Sequence, residues 1–285
     1  MSILAIGLSL AAMLFLLSAG LTLIFGMLGV VNFAHGSFYM LGAYLGFQLI
    51  QSTGSFWLAL ALAPLAGAAV GTAVEVLLLR PVYGREHHVQ MLLTFGVILM
   101  LEEAVRAVWG LDYKEVAAPA ALAVPVHLLG ATISGYRLFL IGFGALAAAL
   151  LFTVLERTRV GVIVRATSSD PEMARALGLD VGVVRTGVFA FGTGLAALAG
   201  VVTAPLFPVE LTMGFGVIID CFVVVVIGGF GSIKGAVVAS LLLGMVRAVG
   251  YGVAPQWVDL LGYSLLILVL LLRPRGLFGR EQRLA

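Results

Sequence analysis

The stretch "ILAIGLSLAAMLFLLSAGLTLIFGML", Ile3 to Leu28, runs for 26 residues without a charged side chain. A bilayer core about 30 Å thick is crossed by about 20 apolar residues in a helix rising 1.5 Å per residue. This run is therefore long enough to span. It is too long for the apolar part of a cleavable signal, and no positive residue precedes it, so it is expected to remain in the mature chain. Lipid offers backbone groups no water to bond, which leaves only helices and closed barrels as spanning structures. Barrel strands alternate over about ten residues, whereas this run is continuous, so it predicts a helix.

The rest of the chain repeats the pattern. Of 285 residues 62% are hydrophobic and 11% charged, with a mean hydropathy of +1.16. Soluble domains carry about 25% charged residues, so this chain cannot clothe a water-facing surface. Apolar runs fall at roughly 3–28, 33–50, 56–79, 89–109, 136–155, 188–206, 214–230, 235–250 and 257–272. The run at 33–50 is polar at its start, and those at 214–230 and 235–250 are parted by "GGFGSIKG". The expectation is an all-α, polytopic transmembrane protein of eight or nine membrane-embedded helices in a single domain, 1–285. The lone cysteine, Cys221, lies in an apolar run, excludes an intrachain disulfide and suits packing. A net charge of +2 is too small to suggest a nucleic-acid partner.

Basic residues orient such a chain, because cytoplasmic loops carry an excess of Lys and Arg. Arg80 and Arg85 fill one short loop. Arg157, Arg159, Arg165, Arg175 and Arg185 belong to the segment 155–187 and its edges. Lys234 sits in the "GSIKG" turn, and Arg273, Arg275, Arg280 and Arg283 crowd the tail 273–285. Alternating the spans puts these twelve on one side and Arg106, Lys114, Arg137 and Arg247 on the other. The loop 155–187 and the C-terminus are therefore expected in the cytoplasm and 110–135 outside. Nine crossings place the N-terminus outside; a re-entrant break at 29–37 would change the parity and place it inside.

Two stretches stand out from this background. In "GVVNFAHGSFYMLGAY", Gly29 to Tyr44, the polar residues Asn32, His35 and Ser37 interrupt the apolar pattern. Non-helical backbone at membrane depth survives only where protein or a water-filled cavity satisfies it, and transporters place such breaks at the substrate path. The other reading is a short cytoplasmic turn in which Asn32 caps the next helix. Gly36 is expected to supply a tight backbone with positive φ. In "SSDPEMARALGLD", Asp170 is a helix N-cap, Pro171 the first helical residue, Glu172 a first-turn acid, Arg175 a basic residue near the end and Gly178 a stop. A helix of about two turns does not hold itself together alone. Met173, Ala176 and Leu177 form an apolar side that needs a partner surface or the membrane interface.

Three landmarks, "GLTLIFGMLGVVNFAHGSFYMLGAY" (Gly20 to Tyr44), "RATSSDPEMARALGLDVGVVRTGVFAFGTGLAALAGVV" (Arg165 to Val202) and "VVVVIGGFGSIKGAVVASLLLG" (Val223 to Gly244), resemble those of bacterial branched-chain amino-acid ABC transporter permeases. They are most like the H-type permease subunit of the Liv system, with Lys234 where that family usually has Pro. The resemblance implies a permease subunit in the bacterial cytoplasmic (inner) membrane that forms a path for leucine, isoleucine, valine or related amino acids. Its partners would be a second homologous permease, two ATP-binding subunits and an external substrate-binding protein. Asn32, His35, Gly36 and Ser37 would then lie at the translocation path or a helix break. Pro171, Glu172, Met173, Ala174, Arg175, Ala176, Leu177 and Gly178 would form the coupling helix that meets an ATPase. The same family includes urea and short-chain amide importers.

The chain has no GxxxxGK[ST] phosphate loop, no HExxH and no CxxC, and its four histidines are scattered. No enzyme activity, cofactor or metal is expected. An ion-coupled secondary transporter would need embedded acids. Of the candidates, Glu75 is expected to pair with Arg80, and Glu102 and Glu103 with Arg106, while Asp220 has no partner visible nearby in the sequence.

Overall fold

The computed structural model describes residues 2–128 and 131–279, so Arg280 and Arg283 of the basic tail lie outside the described residues. The first helix, α1 (Ser2–Leu28), ends where Gly29 turns to φ +64° and returns its N–H to the Phe25 carbonyl at 2.9 Å. A left-handed residue just past the last helical turn is the usual stop, and glycine adopts it without steric cost. The next helix, α2 (His35–Thr53), stops the same way at Gly54. Ser55 then caps α3 (Phe56–Val74) by accepting from the Leu58 N–H. That helix runs on through a π turn, Glu75–Leu79, and a 3₁₀ turn, Arg80–Val82.

The chain continues through α4 (His87–Trp109), α5 (Gly135–Arg157), α6 (Arg159–Ser169), α7 (Pro171–Ala176), α8 (Val181–Thr203), α9 (Met213–Gly228), α10 (Ile233–Val253) and α11 (Val258–Leu272). Before α5 a small antiparallel hairpin forms, β1 (Pro125–Leu128) with β2 (Ala131–Ser134), in register Pro125↔Ser134. Sequence reading anticipated neither this hairpin nor α6. Six helical stretches among the described residues are long and apolar enough to cross a membrane: α1, α3 through Val82, α5, α8, α10 and Pro255–Leu272. That is fewer than the eight or nine expected. Helices α2 and α4 have the length but carry more polar residues, and α9 has only 16 residues.

Contacts define two polar ends. At one, the Ser168 hydroxyl bonds the Gly26 carbonyl, Lys234 meets Glu156 at 3.6 Å, and Leu277 and Phe278 donate their N–H groups to Ile227 and Gly228 at 2.8 and 3.0 Å. At the other, Lys114 and Val209 exchange backbone bonds, Arg137 donates to Ser9 at 2.9 Å, and Tyr136 donates to the Val202 carbonyl at 2.8 Å. The chain passes back and forth between them.

Helices α1 and α8 form the centre. Two-thirds of the apolar window of each is buried (67%), against 17% for α5 and for the last span. Lipid provides no hydrophobic force between helices, so packing relies on close backbone approach at small residues. At the crossing of α1 and α8, a Cβ on Gly20 would lie 2.4 Å from the Gly192 carbonyl oxygen, and one on Gly192 would lie 2.9 Å from that of Gly20. Where α2 meets α9, Gly36 and Gly214 approach each other in the same reciprocal way, at 2.1 and 2.7 Å.

Candidate functional site at the break between α1 and α2

His35 opens α2, yet its Nε2 donates to the Leu17 carbonyl at 2.9 Å. Leu17 lies eleven residues before the end of α1, about 16 Å back along the axis at 1.5 Å per residue. The segment 29–34 therefore folds back beside α1 instead of turning at its end. Val30, Asn32 and Ala34 alternate inward along it and are each at most 2% exposed. A carbonyl acceptor requires the proton on Nε2, so the neutral ring presents Nδ1 as a lone pair.

That Nδ1 is buried without a hydrogen-bond partner among the described residues, and so are both polar atoms of the Asn32 amide. Leaving such a group unbonded costs about 1–3 kcal/mol. Asn32 does not cap α2. The cap position belongs to Ala34, which makes no side-chain bond, while the Asn32 backbone carbonyl accepts from the His35 N–H at 3.3 Å. Ser37 is buried in the first turn of α2.

Gly36 departs from expectation. It is helical, and the positive φ falls on Gly29. The lack of a side chain at Gly36 serves the close approach to Gly214, where a Cβ would meet backbone oxygen. Beside the break lies a mostly apolar cleft of about 440 Å³, whose lining includes Phe33 of the segment, His88, Met91, Phe95 and Ile98 of α4, and Phe215 and Ile218 of α9. Its volume is within the range of small-molecule sites. Asn32 and His35 do not line it.

The segment before α8 follows the expected design closely. The Asp170 carboxylate accepts from Glu172 and Met173 N–H at 3.1 and 2.8 Å, and Pro171 holds the first helical position. Gly178 stands at φ +85°, and the Leu179 N–H bonds the Ala174 carbonyl at 3.0 Å. This six-to-one bond completes a Schellman-type stop. Met173 and Leu177 are exposed (56% and 75%), but Ala174 is 2% exposed and faces its own chain. Ala176 is exposed as well, so the outward apolar side is formed by Met173, Ala176 and Leu177, as expected.

Embedded charges find partners both within a turn or so of helix and far away in sequence. Glu75 does meet Arg80, at 3.4 Å, but it also accepts from Tyr83 at 2.8 Å and Thr186 at 2.7 Å. Burial first, then the bond and charge of Glu75, raise the Tyr83 hydroxyl above its ordinary pKa. Glu103 pairs with Arg106 at 3.0 Å, one turn away. Asp220, expected to lack a nearby partner, binds Arg247 at 2.6 Å, and the same guanidinium nitrogen reaches Asp259 at 3.0 Å. The available signal was Arg247 itself, a lone arginine inside an apolar span. An embedded cation requires an anion from a neighbouring helix.

Comparison with known proteins yields one consistent set. The family model described as "Branched-chain amino acid transport system / permease component" matches residues 3–270. The high-affinity branched-chain amino acid transport system permease protein BraD of Pseudomonas aeruginosa is 32% identical, over 97% of this chain and 94% of that protein. The corresponding LivH proteins of Escherichia coli and Salmonella typhimurium are 30% and 29% identical over the same shares. No solved structure matches the chain.

Proposed function

The chain belongs to the branched-chain amino acid transport permease family, and from that premise we propose that it is the membrane-spanning permease subunit of an ABC importer for leucine, isoleucine, valine or related amino acids. It works with a second homologous permease, two ATP-binding subunits and an external substrate-binding protein. The observation that carries this reading is the match across residues 3–270, nearly the whole chain.

In this reading nine helices cross the inner membrane, with α2, α4 and α9 joining the six apolar spans, and the C-terminus is cytoplasmic. Supporting it, Lys234, Arg80 and α6–α7 gather at one polar end while Lys114, Arg137 and Arg247 lie towards the other. Helix α7, Pro171 to Gly178 with its stop, is the coupling helix, and Met173 and Leu177 enter the ATPase cleft. The break at Asn32, His35, Gly36 and Ser37 lies beside the translocation path. Water or a zwitterion would reach the unbonded polar atoms buried there only if the break opens, and the neighbouring apolar cleft suits an aliphatic side chain. The buried acids that an ion-coupled mechanism would recruit are already paired, Asp220 with Arg247 and Glu75 with Arg80.

Reconstitution in proteoliposomes with the ATP-binding subunits, the second permease and the binding protein tests the reading. ATP-dependent uptake of leucine is expected. Uptake of urea or acetamide in preference to leucine would move the substrate class. Leucine uptake driven by an ion gradient without ATP would refute the ABC mechanism.

A further inference from the structure

Glu75 occupies an unusual place. Helix α3 widens there into the π turn Glu75–Leu79, a form that recurs at functional positions. Its carboxylate is fully buried and gathers the Tyr83 hydroxyl, the Thr186 hydroxyl and the Arg80 guanidinium. Thr186 is 111 residues away, in the second turn of α8, which follows α7 after only the residues 177–180.

The Thr186 hydroxyl has two acceptors for its one hydrogen, and its oxygen also accepts from the Arg80 guanidinium at 2.5 Å. Glu75 lies at 2.7 Å, and the Gly182 carbonyl of its own helix lies at 3.0 Å. Threonine in a helix commonly bonds back to the preceding turn, so the Thr186 hydrogen can make or release the bond to Glu75 while Arg80 keeps the hydroxyl oxygen in place. The grip extends further. Arg185 lies over the Tyr83 ring at 5.4 Å, and the Gln90 amide of α4 donates to the Val82 and Arg85 carbonyls at 3.2 and 3.1 Å. Helix α4 then supplies Met91, Phe95 and Ile98 to the cleft facing Phe33.

We propose that Glu75 is a positioning residue that transmits movement of the α7–α8 unit to the α3–α4 hairpin, and so to the wall of the cleft. The inference rests on the reading of α7 as the ATPase-contacting helix. Coupling of this kind requires a contiguous chain of contacts containing an element with two discrete arrangements. The Thr186 hydroxyl, with its two acceptors, is that element.

The test uses the complete importer in proteoliposomes, with leucine as probe. Thr186→Val keeps the shape and removes the hydroxyl. The ATP-binding subunits are expected to co-purify in parental amounts, while leucine transported per ATP hydrolysed falls about tenfold or more, as losing a hydrogen bond to a charged acceptor implies. Thr186→Ser restores the ratio, and Tyr83→Phe lowers it. A Thr186→Val complex with the parental ratio overturns the inference. So does one that loses its ATP-binding subunits, because Thr186 would then serve docking. If Leu177→Asp leaves both uptake and ATPase recovery at parental levels, the reading of α7 fails, and this inference with it.

Discussion

Gly36→Ala adds one methyl group at the contact between α2 and α9. The new Cβ would sit 2.1 Å from the Gly214 carbonyl oxygen, 2.9 Å from its carbon and 3.1 Å from Ile218 Cβ. Carbon–oxygen contacts settle at about 3.3 Å or more, so the two helices must part by about 1.2 Å at this point. The nearest atoms are backbone, and no rotamer change relieves them. Overpacking of this kind costs about 1–3 kcal/mol. Gly142→Ala on α5 is the matched control, because nothing lies within 4 Å of its Cβ. Both substitutions gain the helix propensity of alanine, about 0.5–1 kcal/mol, so their difference isolates the clash. The thermal midpoints of the two purified variants in detergent measure it. Gly36→Ala should melt well below Gly142→Ala, and Gly42→Ala should follow it, since its Cβ would lie 2.2 Å from the Ala197 oxygen. Equal midpoints for all three would show that the reciprocal glycine contacts do not hold the helices together.

A reporter fused after Ala285 or inserted in 155–187 should report the cytoplasm, and a cysteine at the exposed Tyr113 should label from outside; labelling of that site only from inside refutes the orientation. Leu177→Asp and Met173→Asp should abolish leucine uptake and reduce recovery of the ATP-binding subunits, and normal uptake by both would remove α7 from the mechanism. Arg247→Ala strands the buried Asp220, a loss of about 3–5 kcal/mol, and should lower the thermal midpoint; adding Asp220→Asn should recover much of it, and no recovery would show that the pair does not matter. His35→Leu and Asn32→Leu should impair uptake more than His87→Leu, and parity among the three would reduce the break to a structural feature.

Local chemistry was legible in the sequence and distant pairing was not. The cap at Asp170, the proline at 171 and the stop at Gly178 form from residues within nine positions, and each took its expected place. The Glu75–Arg80 and Glu103–Arg106 pairs are also separated by about one turn of helix. By contrast, Asp220 meets Arg247 across 27 residues and Glu75 meets Thr186 across 111, separations that no periodicity encodes. The break was visible as a change in polarity, but its depth was not. Hydropathy marks where apolar runs pause, and only the bond from His35 to Leu17 shows that the chain folds back. Gly36 was misread for a related reason, because a glycine wanted for its φ and one wanted for its missing Cβ look alike in a sequence. Helix α6, with only eleven residues and no apolar run of spanning length, left no signal of that kind.

The two glycine crossings limit the helices in an uneven way. Where side chains interdigitate, ridges seated in grooves fix the angle between two axes as well as their distance. Gly20 against Gly192 and Gly36 against Gly214 have no ridges to seat. Each crossing sets how near its helices stand and leaves their relative rotation to the residues above and below. They are pivots, with α1 and α8 sharing one and α2 and α9 the other. The polar break of the chain lies between the two, at the first residues of α2, with the His35 ring 3.0 Å from the Cβ position of Gly20, so a small tilt about either pivot moves the ends of the helices while His35 keeps its place against Leu17.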